Sequence, residues 1–298
     1  MSLSVLIPVY NRDVTLLVSS LASLLTKEKI VSEIILLDDA SEPGSISINQ
    51  KLAEGDFIFH YRNNTNMGRA KTRMKLAQYA RYDHLLFLDC DVKIIRPDFI
   101  NAYNVQIKED IAICCGGIVY DDEEPTDIKY KLHWKYGRER ENKRVGDGKG
   151  FLSGNFLIRK NLFLNLNKDL ELLQYGHEDT LWGIELFKIG INVKIIDNPV
   201  MHEGLEETSV YIKKSLAAVE NLVLLEKMVN KNVLAQHVKL FNWYLKFKNL
   251  LLTGLIEKTE SIFHSGVIKN LSSYNPSLRY FDWVRLAHLI RVRRKAKE

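Results

Sequence analysis

Cysteine is scarce in this 298-residue chain: there are three, Cys90, Cys114 and Cys115, an odd number with two adjacent in an apolar run. That count and spacing exclude a disulfide framework and a cysteine-based metal site, and they point to a reducing, cytoplasmic setting. Long apolar runs are missing as well, so no segment reads as a bilayer span. The opening stretch from Met1 to Tyr10 has no basic region, and its apolar run is too short for a secretory leader. Charge of one sign is also in short supply. A formal net charge of +5 suits a phosphate-bearing ligand or an anionic membrane surface, but it does not by itself argue for nucleic acid. Internal repeats and low-complexity tracts are absent. A protein that is soluble or lies on a membrane surface, with no nucleic-acid partner, is expected.

The length exceeds one typical domain and the apolar fraction, 46%, is ordinary for a globular protein. In the first hundred residues short apolar runs alternate with amphipathic stretches. Strands are expected at Leu3–Val9, Glu33–Leu37, Phe57–Tyr61 and His84–Leu88, and helices at Asp13–Leu25 and Gly68–Ala80. Pro97 suits the first turn of a further helix, because its missing N–H would be unpaired there anyway. Strand and helix at this spacing mean βαβ units and a mostly parallel sheet, with ligands at the strand C-termini. From Asp121 to Gly150 charges, glycines and scattered aromatics predict an insertion or mobile loop. A strand over Phe151–Ile158, a helix over Thr180–Lys188 and a strand over Ile191–Ile196 follow. After Gly204 only helical spacing is left: Ile212, Leu216, Val219 and Val223, then Leu234, Val238, Phe241, Leu245 and Leu252. The expected division is an α/β domain over 1–204 and a helical region over 205–298.

The residues that could carry chemistry follow strands. Asp38-Asp39-Ala40-Ser41 ends the second strand, where paired carboxylates can hold a nucleobase N–H and ribose hydroxyls; alone, the same residues read as a turn or cap. Asp89-Cys90-Asp91 ends the fourth strand, and two carboxylates so placed can share one hard divalent cation, magnesium or manganese, with the diphosphate it neutralises. Asn66-Met67-Gly68 opens a helix on which Arg69, Lys71 and Arg73 offer positive charge to phosphate, or form a solvated basic turn. Gly176-His177-Glu178-Asp179 precedes a helix, and either acid could be a general base or only a cap. His202 follows the last strand and could give an imidazole nitrogen to a metal or be an ordinary surface histidine.

In this order the segments resemble the family-2 inverting glycosyltransferases with the GT-A fold, over roughly residues 3–204. Val5 to Asn11, with Pro8, Tyr10 and Asn11, is similar to the family's first strand and its uracil-contacting loop. Asp38 and Asp39 match its D-D-x-S step. Asn66 and Gly68, followed by Arg73, match its N-x-G helix start. Asp89, Cys90 and Asp91 match its metal motif. Gly154 and Asn155 resemble the strand that contacts the sugar, Glu178-Asp179 the pair whose aspartate is the base, and His202 the late histidine that ligates the metal in some members. The resemblance implies a UDP-sugar donor and a manganese or magnesium ion on Asp91 and His202, with Asp89 at the ribose or a metal water. It also implies single displacement onto a glycan or glycolipid hydroxyl, as in polysaccharide assembly at the inner membrane face. Asn155 and the Gly-His-Glu-Asp step are similar to members that transfer galactose or an N-acetylhexosamine.

Two other readings compete. A nucleotidyltransferase would also use metal-bound carboxylates on such a sheet, but it would open on a glycine-rich basic loop, and here the first strand ends Pro8-Val9-Tyr10-Asn11. An inactive nucleotide- or carbohydrate-binding subunit would have no need of Asp179 as a base. In the C-terminal third, Trp283, Leu286, Ala287 and Ile290 share a helical face among Arg279, Arg285, Arg291, Arg293, Arg294, Lys295 and Lys297. That stripe suits an interfacial helix on an anionic leaflet, and equally a helix packed on the protein or a second subunit.

Overall fold

Ser2–Val9 forms strand β1, buried from Leu3 to Val9, as a continuous apolar run is in the interior of a parallel sheet. β2 (Val31–Asp38), β3 (Ile58–Arg62) and β4 (His84–Leu88) follow within one or two residues of the expected positions. The computed structural model describes residues 2–142, 151, 153–166 and 176–296. Two compact units make up the chain. The first comprises Met1–Tyr120, Asn142–Glu171 and Glu185–Gly204, and the second Asp121–Glu141, Leu172–Ile184 and Leu205–Glu298. Residues 205–298 thus fall wholly in the second unit, and two earlier segments join them there.

The first unit adds β5 (Val92–Ile94), β6 (Ile113–Cys115), β7 (Ile118–Val119), β8 (Asn155–Arg159), β9 (Lys194–Ile195) and β10 (Val200–His202). Its main sheet has the order β3-β2-β1-β4-β8-β6-β9, parallel except for β8, which runs antiparallel to both β4 and β6. A smaller sheet has the order β5-β10-β7. Helices α1 (Thr15–Lys27), α2 (Pro43–Gln50), α3 (Arg69–Tyr79), α4 (Phe99–Lys108) and the later α6 (Lys160–Leu166) complete the unit. α1 presents Leu17, Val18, Leu21 and Leu25, and α4 presents Phe99, Ile100, Tyr103 and Ile107, to a core built on β1, β2 and β4. The mixed α/β architecture with a mostly parallel sheet is the expected one.

Several local expectations are corrected. α4 begins at Phe99, two residues beyond Pro97, because Asp98 is its N-cap and is gripped by the Arg96 guanidinium through two 3.0 Å bonds. The strand expected from Phe151 starts only at Asn155, since Ser153 and Gly154 form a turn. The strand expected over Ile191–Ile196 shortens to two residues. The segment after Asp121 is not a plain loop: it holds a 3₁₀ turn (Ile128–Tyr130), α5 (Lys131–Tyr136) and a π-helical turn (Gly137–Glu141), while residues 143–150 lie outside the described residues.

In the second unit, the described elements from Glu178 onward are helices: α7 (Glu178–Lys188, whose last turn belongs to the first unit), α8 (Thr208–Met228), α9 (Lys231–His237), α10 (Lys239–Asn249), α11 (Thr253–Leu271) and α12 (Leu278–Lys295). Leu252 does not continue the helical run from Leu234; it lies in the turn between α10 and α11. The α12 stripe packs within this unit: Leu286, Ala287 and Ile290 are buried, and Trp283 lies against a cluster of Leu132, Val267, Leu271, Leu278, Phe281 and Val284. Its arginines are paired too. Arg291 donates to Glu260, Arg293 to Glu226 and Arg294 to Glu257, and the Arg285 guanidinium stacks on Tyr136 and Phe281. The stripe is thus occupied by packing within its own unit; Lys297 lies outside the described residues.

Two histidines of the main sheet give the first unit a pH dependence. Burial pushes His60, on β3, below its usual value of 6.5, and does the same for His84 at the start of β4. A folded state with depressed histidine pKa values binds fewer protons than the unfolded chain just below pH 6.5, so stability rises with pH across that window. Urea unfolding from about pH 7.5 down to about pH 5 is expected to show stability falling. The His60→Gln/His84→Gln double variant is expected to flatten that slope, and an unchanged slope would contradict the assignment.

Candidate active site

The polar residues of the first unit collect at the C-terminal edge of β1, β2 and β4. β1 is central, yet its ladder with β4 stops at the Leu6–Phe87 pair, whereas its ladder with β2 runs on to Val9–Asp38. Pro8, which has no N–H to donate, lies just past that stop, and the β4 side opens at the point where the strand order changes direction. Tyr10 is exposed at the strand end. Asn11 turns back in a left-handed conformation (φ 48°); its N–H donates to Ser41 Oγ at 2.8 Å and its Oδ1 accepts from the Glu42 N–H at 2.8 Å. The β1 loop is thereby tied to the end of β2.

The two aspartates at the end of β2 do different work. Asp39 is nearly filled by the protein: it accepts from Asn63 Nδ2 (2.8 Å), the Met67 N–H (2.9 Å) and the Gly68 N–H (2.9 Å). It therefore shapes the Asn66–Gly68 loop, where Gly68 takes a φ of 82° that a side chain would resist. Asp38 caps the Ser41 N–H through Oδ1 at 2.8 Å, while its buried Oδ2 has no hydrogen-bond partner among the described residues.

Asp89 and Asp91 separate just as clearly. The Arg73 guanidinium, with its side chain only 1% exposed, donates to Asp89 Oδ1 at 2.6 Å and to the Ser153 carbonyl at 3.0 Å. Arg69, half-exposed one turn earlier, stands 3.9 Å from Asp89 Oδ2. Burial works to raise the Asp89 pKa, but the two arginines overcome it and hold the carboxyl below its ordinary value. Arg73 is thus an internal counter-ion and not a cation offered to phosphate; Arg69 and Lys71 are the exposed charges of that turn. Gly154 makes room for the arrangement, since a Cβ there would stand 2.4 Å from Ile118 Cδ1 and 3.0 Å from Asp89 Oδ2. Between the two acids, Cys90 is pushed up to about 12, chiefly by burial and then by the Asp91 charge, so it stays a neutral thiol.

Asp91 lies immediately before β5, and the antiparallel pairing of Val92 with His202 brings the end of β10 beside it. The Glu203 N–H donates to the Asp91 carbonyl at 2.8 Å, and His202 Nδ1 stands 3.6 Å from Asp91 Oδ1. The Tyr120 ring meets the imidazole edge-on at 5.0 Å. Gly204 is needed here, because a Cβ would fall 2.4 Å from Asp91 Oδ2. Sequence reasoning passed over Gly204, for the requirement comes from strands distant in the chain.

The fit of this site to a divalent ion can be judged from its donors. Neighbouring ligands each about 2.1 Å from one ion lie about 3.0–3.6 Å apart, which Asp91 and His202 match. Among the described residues no three His, Cys, Asp or Glu side chains come together to hold an ion. Asp89 is engaged by Arg73, while Asp91 and His202, the two residues expected as direct ligands, stand side by side. One carboxylate and one imidazole suit an ion that completes its shell with a diphosphate and water.

Asn155 is a second correction. Its side chain is fully buried: Oδ1 accepts from the Tyr103 hydroxyl at 2.5 Å, and Nδ2 donates to the Gly117 and Asn198 carbonyls at 2.9 Å each. It fastens β8 to the β6–β7 turn and presents no amide to a sugar. Tyr103 and Asn198, which complete this node, carried no signal in the sequence beyond an apolar helix face and a turn.

Glu178 and Asp179 belong to the second unit, in the first turn of α7. Gly176 (φ 88°) and His177 (φ 67°) are both left-handed ahead of them, and His177 Nδ1 lies 3.1 Å from Thr180 Oγ1. A Cβ on Gly176 would meet Ala218 Cβ of α8 at 2.7 Å, so the turn is pressed against that helix. Asp179 Oδ1 accepts the Thr180 N–H at 2.9 Å, and Glu178 is buried. Non-glycine residues held in such conformations cluster at functional turns.

Known proteins share this fold. A mannosyltransferase from Pyrobaculum calidifontis, solved in complex with GDP-Man and Mn2+, superposes with a TM-score of 0.59 at 16% identity, over 98% of this chain and 86% of its own. At that identity the likeness speaks to the fold. An uncharacterized ATP-binding protein of Ureaplasma parvum is 23% identical over 239 residues, 80% of this chain and 52% of its own length. A polypeptide N-acetylgalactosaminyltransferase 8 of Drosophila melanogaster is 30% identical over 122 residues, 40% of this chain and 20% of its own. The chain thus spans about half of the first relative and a fifth of the second. The family model described as Glycosyl transferase family 2 matches residues 4–166, more than half of the chain, from within β1 through β8. With that match and the GT-A architecture together, the chain belongs to glycosyl transferase family 2.

Proposed function

We propose that this glycosyltransferase moves a sugar from a UDP-sugar to a hydroxyl of a glycan or glycolipid acceptor by a single inverting displacement, assisted by a manganese or magnesium ion. The observation that carries the reading is the Asp91–His202 pair, 3.6 Å apart at the edge where nucleotide ligands of such sheets bind. Asp91 and His202 hold the ion, which when bound neutralises charge developing on the departing UDP. Asp38, with Oδ2 left over, accepts from the base or ribose, and Asp39 acts by keeping the Asn66–Gly68 loop in place. Arg69 and Lys71 supply positive charge to the diphosphate. Asp179 removes the proton of the attacking hydroxyl, so no enzyme nucleophile is needed. The suggestion of galactose or an N-acetylhexosamine leaned on Asn155, and the burial of that amide leaves the donor sugar unassigned.

Asp91→Asn tests this directly. Calorimetry with UDP in the presence and absence of manganese is expected to show the wild type binding UDP more tightly with the ion, and the variant indifferent to it. If the variant binds manganese and UDP as the wild type does, the ligand assignment is wrong.

A further inference from the structure

The second unit has an apolar surface that its own packing does not use. α10 carries Trp243 and Phe247 at i and i+4, its C-cap Leu250 follows at i+7, and the chain then turns through Leu251 and Leu252 into α11, where Leu255 continues the surface. Trp243 is 50% exposed, Leu250 65% and Leu251 90%. The Trp243 and Phe247 rings meet edge-on at 6.5 Å.

The turn itself is unusual. The Leu251 N–H donates to the Lys248 carbonyl at 3.0 Å and the Leu252 N–H to the Phe247 carbonyl at 3.0 Å, a helix C-terminal motif whose left-handed position is usually glycine. Here leucine occupies it at a φ of 57°. The strain has no return in packing, since the side chain points into solvent.

The charge around this tip has one sign. From Lys239 to Lys258 there are four lysines, at 239, 246, 248 and 258, and a single acid, Glu257, which is occupied by Arg294 at 2.9 Å. None of the four lysines has a carboxylate within 4 Å among the described residues. No helix among the described residues is long and apolar enough to cross a bilayer.

We propose that the α10–α11 turn is a membrane-docking tip. Leu250–Leu252 and Leu255 enter the acyl boundary of an anionic bilayer, Trp243 sits at headgroup level, and the lysines contact anionic headgroups. The charge pattern selects this occupant over a second copy of the chain, because two such tips would bring lysine against lysine. The proposal relocates membrane contact from α12, whose stripe is buried, to a turn whose leucines are not. It does not rest on the transfer chemistry.

Flotation of the full chain with phosphatidylglycerol-containing vesicles tests it. The wild type is expected to float at low salt, with weaker binding at high salt and on pure phosphatidylcholine. Leu250→Ser/Leu251→Gly/Leu252→Ser is expected to lose at least tenfold in binding while keeping wild-type UDP affinity and thermal stability. Lys246→Glu/Lys248→Glu is expected to lose the preference for anionic vesicles, since each lysine near such a surface contributes about fivefold. Vesicles should blue-shift the wild-type tryptophan emission, and much less so that of Trp243→Phe. Wild-type flotation by the triple leucine variant, or no flotation by the wild type at low salt, overturns the proposal. So does a dimer in light scattering that the leucine variant converts to monomer without any effect on vesicle binding.

Discussion

Asp179→Asn is expected to bind a UDP-sugar with unchanged affinity and to transfer its sugar roughly 10²–10⁴-fold more slowly, the range that general-base catalysis contributes. The substitution is nearly isosteric. Its amide oxygen can still accept the Thr180 N–H that Asp179 Oδ1 accepts at 2.9 Å, so α7 and the Gly176–His177 turn are expected to keep their form. What is lost is the capacity to take a proton. Calorimetry with the donor and a single-turnover transfer assay separate the two consequences, because a lost transition-state interaction lowers kcat without raising the donor Kd. Near-normal turnover would remove Asp179 from the role and move it to Glu178, for which Glu178→Gln is the matching variant. NMR of the product is expected to show the anomeric configuration opposite to the donor, and retention would exclude single displacement.

Arg73→Met is expected to destabilise the protein by about 3–5 kcal/mol, the cost of leaving one partner of a buried ion pair uncompensated. Asp89 would keep Arg69, half-exposed and 3.9 Å away, and the weaker influence of His202. The bond to the Ser153 carbonyl would go as well, loosening the turn that leads into β8. Removing both charges in Arg73→Met/Asp89→Leu is expected to restore much of the loss, since it is the unpaired carboxylate that costs most. Thermal unfolding of the four members of this cycle gives the coupling. A depressed carboxyl pKa stabilises the fold above the unfolded value of 3.8 and ceases to do so as pH falls through the folded value, so the wild-type advantage over Arg73→Met should shrink in strong acid. Equal stability of wild type and Arg73→Met at neutral pH would mean that the guanidinium is not the counter-ion of Asp89.

Much of the first unit was legible along the chain. Apolar runs at β1, β2 and β4 are long enough to mark buried parallel strands, and α1 and α4 show their buried faces at helical spacing; these are local properties, visible within a window of about ten residues. The order of D-D, N-x-G, D-x-D, E-D and a late histidine was equally readable, because each motif follows an element that the local pattern places. The helical character of the last third followed from the same periodicity.

Which of those polar residues face a ligand was decided only by partners distant in sequence. Asp89 and Asp91 look alike in a D-C-D triplet, yet Arg73 on α3 claims the first, and the β5–β10 register places His202 beside the second. Asn155 reads as a sugar contact until Tyr103 and Asn198 are seen to fill it. The basic stripe of α12 reads as a surface until Glu226, Glu257 and Glu260 are found opposite its arginines. A sequence determines which side chains can ionise, donate or partition into oil. Whether a charge is offered or already answered depends on what the fold brings within about 3 Å of it, because hydrogen bonds and close ion pairs act only at that range.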